Sequence, residues 1–326
     1  MEELPYALLS HSGGSRGFPK SYEPLIKQHF QIVYLDEFAH DKKAYAPKIK
    51  AVLSWWHLPV VDRELLDSLP NLKVIASSGA GVDHLDLNII SSYGIAVSNT
   101  PGVGDDATAD MGMALMLASA KNVVEGNKIA CSPDTKDFDF NCLGDDITEA
   151  TLGIIGMGSI GYSIAQRAKA FRMRILYHNR NRRSLEEEMA VDAEYCTNMA
   201  DLLQQADFVM VVVKLTPDTH KLIGREQLQL MKPTATLINI SRGQVIDQDS
   251  LVDALNQGTI KAAALDVTYP EPLPRTHPLL TMKNIILTPH AGNATDKTRR
   301  RIAERLVRNA ADILRGLPIP DIVAAP

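Results

Sequence analysis

The chain has 326 residues, a formal net charge of −5 at pH 7 and a hydrophobic fraction of 45%, which are ordinary values for a globular protein. The acidic balance argues against a general nucleic-acid or anionic-membrane surface, and no apolar run approaches the ~20 residues of a membrane span. Because this length exceeds what one hydrophobic core usually supports, we expect two domains.

The cysteines and the two termini of the sequence indicate the cellular compartment of the protein. Cys131, Cys142 and Cys196 form no C-x-x-C motif and no zinc-like pairing with histidine, and an odd number of free thiols fits a reducing environment. The N-terminal MEELPYALLS lacks a signal-peptide core and an Arg-rich transit pattern, and the C-terminal DIVAAP is not a peroxisomal signal. We therefore predict a cytoplasmic protein without a metal site.

The first hundred residues alternate short apolar runs with helical patterns, which predicts a parallel sheet with helices on its faces. Strands are predicted at 6–10, 31–35, 51–55, 74–77 and 95–98, with helices at 21–29 and 61–69. Ligands of such sheets bind beyond the carboxyl ends of the strands. Trp55 and Trp56, at the end of the third strand, are therefore candidate pocket walls. The small residues at 77–83 (SSGAGVD) would let backbone amides approach a carboxylate.

A long helix is predicted at 106–124. Apolar residues, many of them Ala and Met, cover much of its circumference, so we expect it to be buried between domains or between subunits. The polar segment 125–149 that follows shows no periodicity and is predicted to be irregular.

The segment that begins at Thr151 contains a glycine motif, G-x-G-x-x-G, formed by Gly156, Gly158 and Gly161. A predicted strand (151–155) precedes it, and a helix (162–171) and a second strand (174–179) follow it. In this context the motif predicts a dinucleotide-binding turn. A side chain at Gly156 or Gly158 would displace the pyrophosphate, and the amides at the helix start would face the phosphates.

The end of the second strand indicates which dinucleotide is bound. NAD sites usually place Asp or Glu there to bind the ribose 2′-hydroxyl, whereas this chain has Asn179, followed by Arg180, Arg182 and Arg183. Guanidinium groups match phosphate oxygens, and a carboxylate would repel a 2′-phosphate. We therefore predict NADP(H) as the preferred cofactor, with NAD(H) possible. The alternative is that these arginines form a solvated surface turn.

Charged side chains follow three strands in the second half of the chain. Strands are predicted at 207–213, 236–241, 262–267 and 284–289. Arg242, Glu271 and His290 come after the last three of them. Since parallel strands end at one edge of a sheet, these side chains are predicted to converge near the nicotinamide.

An arginine, a carboxylate and a histidine at that position suit the reduction of a 2-oxo acid. Arg242 can clamp the substrate carboxylate and carbonyl in a bidentate way that lysine cannot copy. His290 can donate a proton to the carbonyl oxygen and take it back in the reverse direction. Glu271, bonded to the other ring nitrogen, would fix the tautomer and favour the protonated ring.

Six blocks in order along the chain resemble the D-isomer-specific 2-hydroxyacid dehydrogenase family. They are SSGAGVDHLDL (77–87), NTPGVGDDATAD (99–110), LGIIGMGSIG (152–161), NISRGQVID (239–247), ALDVTYPEP (264–272) and TPHAGNAT (288–295). Within the family the chain most resembles glyoxylate/hydroxypyruvate reductases. The resemblance implies an α/β fold with two Rossmann-like or flavodoxin-like parallel-sheet domains and the active-site cleft between them. It also implies a substrate-binding domain from 1–100 and 292–326, a dinucleotide-binding domain from 101–291, and a homodimer.

The resemblance further implies residue roles. Arg242, Glu271 and His290 would be the catalytic set, and the amides of Ala80 and Gly81 would hold the substrate carboxylate. Contacts to the cofactor would come from Thr108, Gly156, Gly158, Ser159, Ile160, Gly161, Asn179, Arg180, Arg183, Asp266 and Gly292.

Three alternatives remain open at this level. The SWWH loop at 54–57 is bulkier than expected, so the choice between glyoxylate, hydroxypyruvate and a larger substrate such as 2-ketogluconate stays open. A formate dehydrogenase of the same superfamily would need Gln at Glu271 to pair with the histidine. A dinucleotide-sensing corepressor shares the fold and the catalytic set, but we would expect it to carry partner-binding tails, and the short termini here predict none.

Overall fold

A computed structural model describes residues 3–137 and 143–324 of the chain. These residues form two compact units. Unit 1 contains the described residues up to Gly104 and from Ala294 onwards, and unit 2 runs Asp105–Asn293. Among the described residues, no helix is both long enough and apolar enough to span a membrane.

The described part of unit 1 is built on one sheet of five parallel strands. These are β1 Tyr6–Leu9, β2 Gln31–Tyr34, β3 Ile49–Ser54, β4 Val74–Ser77 and β5 Ala96–Ser98. Their order in the sheet is β2-β1-β3-β4-β5, which is the flavodoxin-like doubly wound order. The first helices of the chain are α1 Glu23–Lys27, α2 Leu35–His40, α3 Lys42–Tyr45, α4 Arg63–Ser68 and α5 Leu87–Ser92. All five strands lie within two residues of the predicted ones.

Unit 2 has a larger parallel sheet, with seven strands among residues 105–137 and 143–293. Its helices and strands are α6 Asp105–Ala120, α7 Val123–Cys131, β6 Thr151–Ile155, α8 Ser159–Ala170, β7 Arg174–His178, α9 Leu185–Val191, β8 Ala193–Tyr195, α10 Met199–Gln205, β9 Phe208–Val211, α11 Arg225–Leu230, β10 Thr236–Asn239, α12 Gln248–Gln257, β11 Ala262–Leu265 and β12 Ile285–Leu287. The order is β12-β11-β10-β9-β6-β7-β8. The strand order reverses between β6 and β9, and ligands of such sheets bind at that crevice. The predicted class, α/β with two parallel-sheet units, is confirmed.

Helix α6 packs one face into the core of unit 2. Ala109, Met113 and Met116 belong to the same apolar cluster as residues of β6 and α8. A Cβ at Gly112 would lie 3.0 Å from a methyl group of Ile240, so the helix approaches the sheet closely. Packing within unit 2 accounts for the buried part of the helix, and the expected burial between domains or subunits stays a prediction.

The segment predicted to be irregular, 125–149, instead begins in a helix. Helix α6 ends at Ala120, and Asn122, with φ +50°, redirects the chain into α7. None of the described side chains of α7 is buried. A helix without a buried face needs no apolar stripe, so hydrophobic periodicity could not reveal it in the sequence. Cys131 and Cys196 are free thiols, and Cys142 lies outside the described residues.

The last helix, α13 Asp296–Leu314, belongs to unit 1. Thr295 caps it, its side chain accepting a hydrogen bond from the backbone N–H of Thr298 at 3.2 Å. Ile302 and Leu306 lie on its apolar face and join the core cluster of the first sheet. Apolar residues at helical spacing thus attach the end of the chain to strands formed near its beginning.

A buried carboxylate fixes the segment that follows α13. Two nitrogens of Arg305 donate to Asp321 at 2.5 and 3.0 Å, and Nδ2 of Asn309 donates to it at 2.9 Å. The Asp321 side chain is only 3% exposed, and its backbone carbonyl accepts from Asn99 N–H at 3.2 Å. The hydrogen bond from Arg305 holds the pKa of Asp321 below its ordinary value, against the opposing effect of burial.

We expect Asp321→Asn to lower the free energy of unfolding by about 3 kcal/mol, because it leaves Arg305 without its buried partner. In the native chain the pair stabilises the fold above the unfolded-state pKa of about 3.9. That contribution is lost as the pH falls through the lower folded-state pKa. Urea unfolding between pH 3 and 7 should therefore show a smaller pH dependence in the variant. The control Glu304→Gln removes an exposed pair with Arg300 and should change stability by less than about 0.5 kcal/mol. An equal loss in both variants would contradict this account.

Candidate active site

Two of the three glycines of the G-x-G-x-x-G motif are required by packing. Gly156 has φ +98°, and a Cβ there would lie 2.8 Å from the carbonyl oxygen of Val212. A Cβ at Gly161 would lie 2.5 Å from the carbonyl oxygen of Gly156. These positions therefore exclude a side chain with or without a ligand. For Gly156 this adds a packing reason to the predicted one, which was displacement of a pyrophosphate.

The third glycine faces open space at the start of α8. Within the described chain, no heavy atom lies within 4 Å of the Cβ position of Gly158, and no described side chain caps the helix there. The first amides of α8, those of Ser159 and Ile160, are thus available to an anion at the positive end of the helix. This arrangement fits the pyrophosphate of a dinucleotide.

Asn179, at the end of β7, is bonded to the glycine loop. Its Oδ1 accepts from the N–H of Met157 at 2.7 Å, and its Nδ2 donates to the carbonyl oxygen of Met157 at 3.2 Å. The same carbonyl accepts from Nε of Arg183 at 2.8 Å. The guanidinium of Arg183 lies 4.6 Å from the ring centroid of Tyr162. The asparagine and one predicted arginine therefore meet at the backbone of a single residue of the loop, Met157.

The three arginines after Asn179 have different environments. Arg182 donates to the carboxylate of Glu188 at 2.8 and 2.7 Å, and Tyr177 Oη donates to the same carboxylate at 2.5 Å. The hydrogen bond from Arg182 holds the pKa of Glu188 below its ordinary value, while burial and Glu188 raise the pKa of Tyr177 to about 12. Arg180 is exposed and forms no ion pair within residues 3–137 and 143–324. Arg182 is thus paired with a buried carboxylate of the fold, which favours Arg180 and Arg183 as the predicted phosphate-binding residues.

Asp266 follows β11 and organises the loop after β12. Its carboxylate accepts from the hydroxyl of Thr288 at 2.6 Å and from the amides of Ala291 and Gly292 at 2.8 Å each. Its backbone carbonyl accepts from the N–H of His290 at 2.8 Å. His290 has φ +53°, a conformation that costs a non-glycine residue free energy unless its surroundings hold it. The buried aspartate supplies that restraint.

Three residues predicted to contact the cofactor lie together beside this turn. A Cβ at Gly292 would come within 3.1 Å of the Asp266 carboxylate and 3.3 Å of the Thr108 methyl group. Thr108 belongs to α6, whereas the other two belong to the loops after β11 and β12. The structure therefore brings these predicted residues to one edge of the sheet in unit 2.

The side chains of His290 and Glu271 are in contact at the same edge of the sheet. Nδ1 of His290 lies 2.9 Å from a carboxylate oxygen of Glu271, and the other oxygen accepts from the N–H of Thr268 at 3.1 Å. Burial alone would raise the pKa of Glu271, but its contacts with His290 and Thr268 outweigh that effect. With the nearby charge of Arg242, they hold this pKa below the ordinary value. The carboxylate is therefore charged at neutral pH.

Arg242 follows β10, and the chain around it is closely packed. Its carbonyl oxygen accepts from Nδ2 of Asn239 at 2.9 Å, and its Nη1 donates to the carbonyl oxygen of Ser241 at 2.9 Å. A Cβ on Gly243 would fall 2.1 Å from the carbonyl carbon of Thr268. The loops after β10 and β11 therefore touch through their backbones, which explains why the charge of Arg242 influences Glu271.

The predicted carboxylate-binding loop lies in unit 1. Gly79 has φ +90°; its N–H donates to Thr100 Oγ1 at 2.8 Å, and the carbonyl oxygen of Ala80 accepts from Asn99 at 2.7 Å. In the part of the chain that the structure describes, the N–H groups of Ala80 and Gly81 donate to no protein acceptor. The loop is thus held in place with two donors available.

The two tryptophans at the end of β3 have different environments. Trp55 is only 4% exposed and packs edge-on against Phe18, with the ring centroids 5.1 Å apart. Core packing therefore accounts for Trp55 without a substrate role. Trp56 is half-buried with φ +53°, and the guanidinium of Arg299 lies 6.0 Å from its ring.

Sequence reasoning missed four residues that organise the site: Tyr162, Glu187, Asn239 and Thr288. Glu187 had a readable signal, because Ser184-x-x-Glu187 before an apolar run is a capping box. Tyr162 and Thr288 act through tertiary contacts that no local pattern marks, and Asn239 acts through hydrogen bonds to Ser241 and Arg242 in the loop that follows it. Within the described residues, no group of three or more His, Cys, Asp or Glu is arranged to hold a metal ion.

Known proteins resemble this chain over nearly its whole length. The family model for "D-isomer specific 2-hydroxyacid dehydrogenase, NAD binding domain" matches residues 113–292. A glyoxylate reductase of Korarchaeum cryptofilum is 40% identical over 322 residues, which cover 95% of this chain and 94% of that relative.

Solved structures agree with this similarity. The holo form of D-mandelate dehydrogenase from Rhodotorula graminis matches with a TM-score of 0.85 and 28% identity over 100% of both chains. An NADPH-dependent glyoxylate/hydroxypyruvate reductase from Sinorhizobium meliloti, in complex with NADP and malonate, matches with a TM-score of 0.84 and 27% identity. That match covers 99% of this chain and 98% of that one. The protein therefore belongs to the D-isomer specific 2-hydroxyacid dehydrogenase family and is an oxidoreductase that uses a nicotinamide dinucleotide.

Proposed function

We propose that the protein reduces a small 2-oxo acid, glyoxylate or hydroxypyruvate, to the D-2-hydroxy acid, with NADP(H) as preferred cofactor and His290 as proton donor. The observation that carries the proposal is the 2.9 Å contact between Nδ1 of His290 and the charged carboxylate of Glu271. The names of the glyoxylate reductase and glyoxylate/hydroxypyruvate reductase relatives support the substrate class.

The histidine supplies the proton in this mechanism. When bound, the dinucleotide supplies a hydride to the carbonyl carbon of the substrate. Negative charge then develops on the carbonyl oxygen, which takes a proton from the imidazolium form of His290. Because Glu271 engages Nδ1, the proton leaves from Nε2, and the neutral ring keeps its Nδ1–H on the carboxylate. In the oxidative direction the same Nε2 accepts the proton.

Substrate orientation falls to Arg242 and to the loop in unit 1. The planar guanidinium of Arg242 can bind a carboxylate and the adjacent carbonyl oxygen together, and it also stabilises the developing charge. The available N–H groups of Ala80 and Gly81 support their assignment to the substrate carboxylate. Of the two tryptophans, only Trp56 is kept as a candidate pocket wall.

For the cofactor, we assign the pyrophosphate to the glycine loop and the start of α8 and the 2′-phosphate to Arg180 and Arg183. The open space at Gly158 and the lack of a carboxylate at Asn179 support these assignments. This proposal keeps residues 101–291 as the dinucleotide domain and 1–100 with 292–326 as the substrate domain. It also keeps the prediction of a cytoplasmic homodimer.

Initial rates of NADPH and NADH oxidation at matched concentrations test the proposed reaction, with glyoxylate, hydroxypyruvate and 2-ketogluconate as substrates. We expect NADPH-dependent turnover of glyoxylate or hydroxypyruvate to be fastest, with NADH slower. Equal rates with NADH would contradict the cofactor assignment, and a preference for 2-ketogluconate would contradict the substrate assignment. NADPH binding without turnover of any of the three would contradict the reaction and favour a sensing role.

The arginines test the cofactor assignment separately. We expect Arg180→Gln and Arg183→Gln each to raise KM for NADPH about 10- to 100-fold, because each removes charged hydrogen bonds to the 2′-phosphate. KM for NADH should change less than about twofold. Arg182→Gln is the matched control. It should lower the melting temperature because it leaves the buried charge of Glu188 without its partner. The ratio of KM for NADPH to KM for NADH should be unchanged. A change of that ratio in Arg182→Gln would contradict the division of roles.

Variants of the histidine pair test the proton donor. We expect His290→Gln to lower kcat about 10²- to 10⁴-fold, the range for loss of general acid catalysis. Glu271→Gln, which keeps a hydrogen-bond acceptor but not the charge, should lower kcat less, and the dissociation constant of NADPH should be unchanged in both variants. Retention of more than a tenth of the rate in His290→Gln would rule the histidine out.

A further inference from the structure

Arg183 is fixed at four points before any ligand binds. Its backbone N–H donates to the hydroxyl of Tyr177 at 2.9 Å, and its Nε donates to the carbonyl oxygen of Met157 at 2.8 Å. The guanidinium stacks over the ring of Tyr162, and its Nη1 forms a short ion pair with the carboxylate of Glu187. The side chain is only 18% exposed. Its position therefore belongs to the fold.

Glu187 is equally constrained, because it closes the capping box of α9. Its second carboxylate oxygen accepts from the N–H of Ser184 at 3.2 Å and from the hydroxyl of Ser184 at 3.1 Å. In return, the N–H of Glu187 donates to that hydroxyl at 3.2 Å. The carboxylate thus caps a helix with one oxygen and binds Arg183 with the other.

These contacts limit what Arg183 can offer to a phosphate. Nε already donates to Met157 and one N–H of Nη1 donates to Glu187, so the remaining N–H of Nη1 and the two of Nη2 are left for a phosphate unless it displaces the glutamate. A phosphate that binds there also approaches the charge of Glu187, which repels it. The uncharged ribose 2′-hydroxyl of NADH meets no such repulsion.

We propose that Glu187 is a specificity-determining residue that weakens binding of the cofactor's 2′-phosphate and thereby limits the preference for NADPH over NADH. This inference rests on the proposed role of Arg183 in binding that phosphate. Glu186 provides an internal comparison, since it lies in the same turn of α9 but forms no ion pair among the described residues.

The test uses two probes that differ only in the phosphate of interest: adenosine 2′,5′-bisphosphate and adenosine 5′-monophosphate. Their dissociation constants are measured by calorimetry at low ionic strength for the native chain, Glu187→Gln and Glu186→Gln. We expect Glu187→Gln to bind the bisphosphate about 5- to 10-fold more tightly, with the monophosphate changed less than twofold. Glu186→Gln should change neither value beyond about twofold.

Two further measurements separate charge from helix capping. Ser184→Ala removes the cap but keeps the charge of Glu187, so it should not tighten bisphosphate binding. The gain in Glu187→Gln should shrink towards onefold in 1 M salt, where the Debye length is about 3 Å. A gain in Ser184→Ala, or one that salt leaves unchanged, would overturn the electrostatic role.

Failure of this inference is distinguishable from failure of the cofactor assignment. If Arg183→Gln weakens bisphosphate binding while Glu187→Gln leaves it unchanged or weakens it, Glu187 only positions the arginine and the inference is wrong. If the native chain binds both probes equally and Arg183→Gln changes neither, the assignment of the 2′-phosphate to Arg183 is itself wrong.

Discussion

The site depends on one buried carboxylate, that of Asp266. It is 2% exposed, and three donors from the loop after β12 satisfy it. A buried charge is tolerated only when such hydrogen bonds compensate for lost hydration. In return, the aspartate holds His290 in a left-handed conformation and so directs its ring to Glu271. The proposed proton donor therefore owes its orientation to a residue that is bonded to its backbone.

Burial also decides how neighbouring charges divide their roles at the start of α9. Glu188 is 6% exposed at its side chain, and Arg182 and Tyr177 compensate for its charge. Glu187, one residue earlier, is 42% exposed and pairs with Arg183. Removing Arg182 would leave the buried charge of Glu188 without its partner. The second pair lies where solvent and ligands can compete with it. Two adjacent glutamates with two adjacent arginines thus form one pair that stabilises the fold and one pair that is open to the proposed cofactor phosphate.

Periodicity and motif order were sufficient to predict both parallel sheets and the convergence of the loops after β10, β11 and β12, because parallel strands end at a common edge. They could not predict α7, which buries no side chain, or the division between Arg182 and Arg183, which depends on which carboxylate each arginine meets. They also could not predict the packing reason for Gly156, because the excluded volume comes from Val212, more than 50 residues away in the sequence.

The pairing of Asn179 with the Met157 backbone has a consequence for substitution. The amide side chain matches both the N–H and the carbonyl of that residue. An aspartate at this position would still accept from the N–H, but it would set two oxygens against each other at the carbonyl. A change of residue 179 would therefore alter the glycine turn together with the proposed ribose contact.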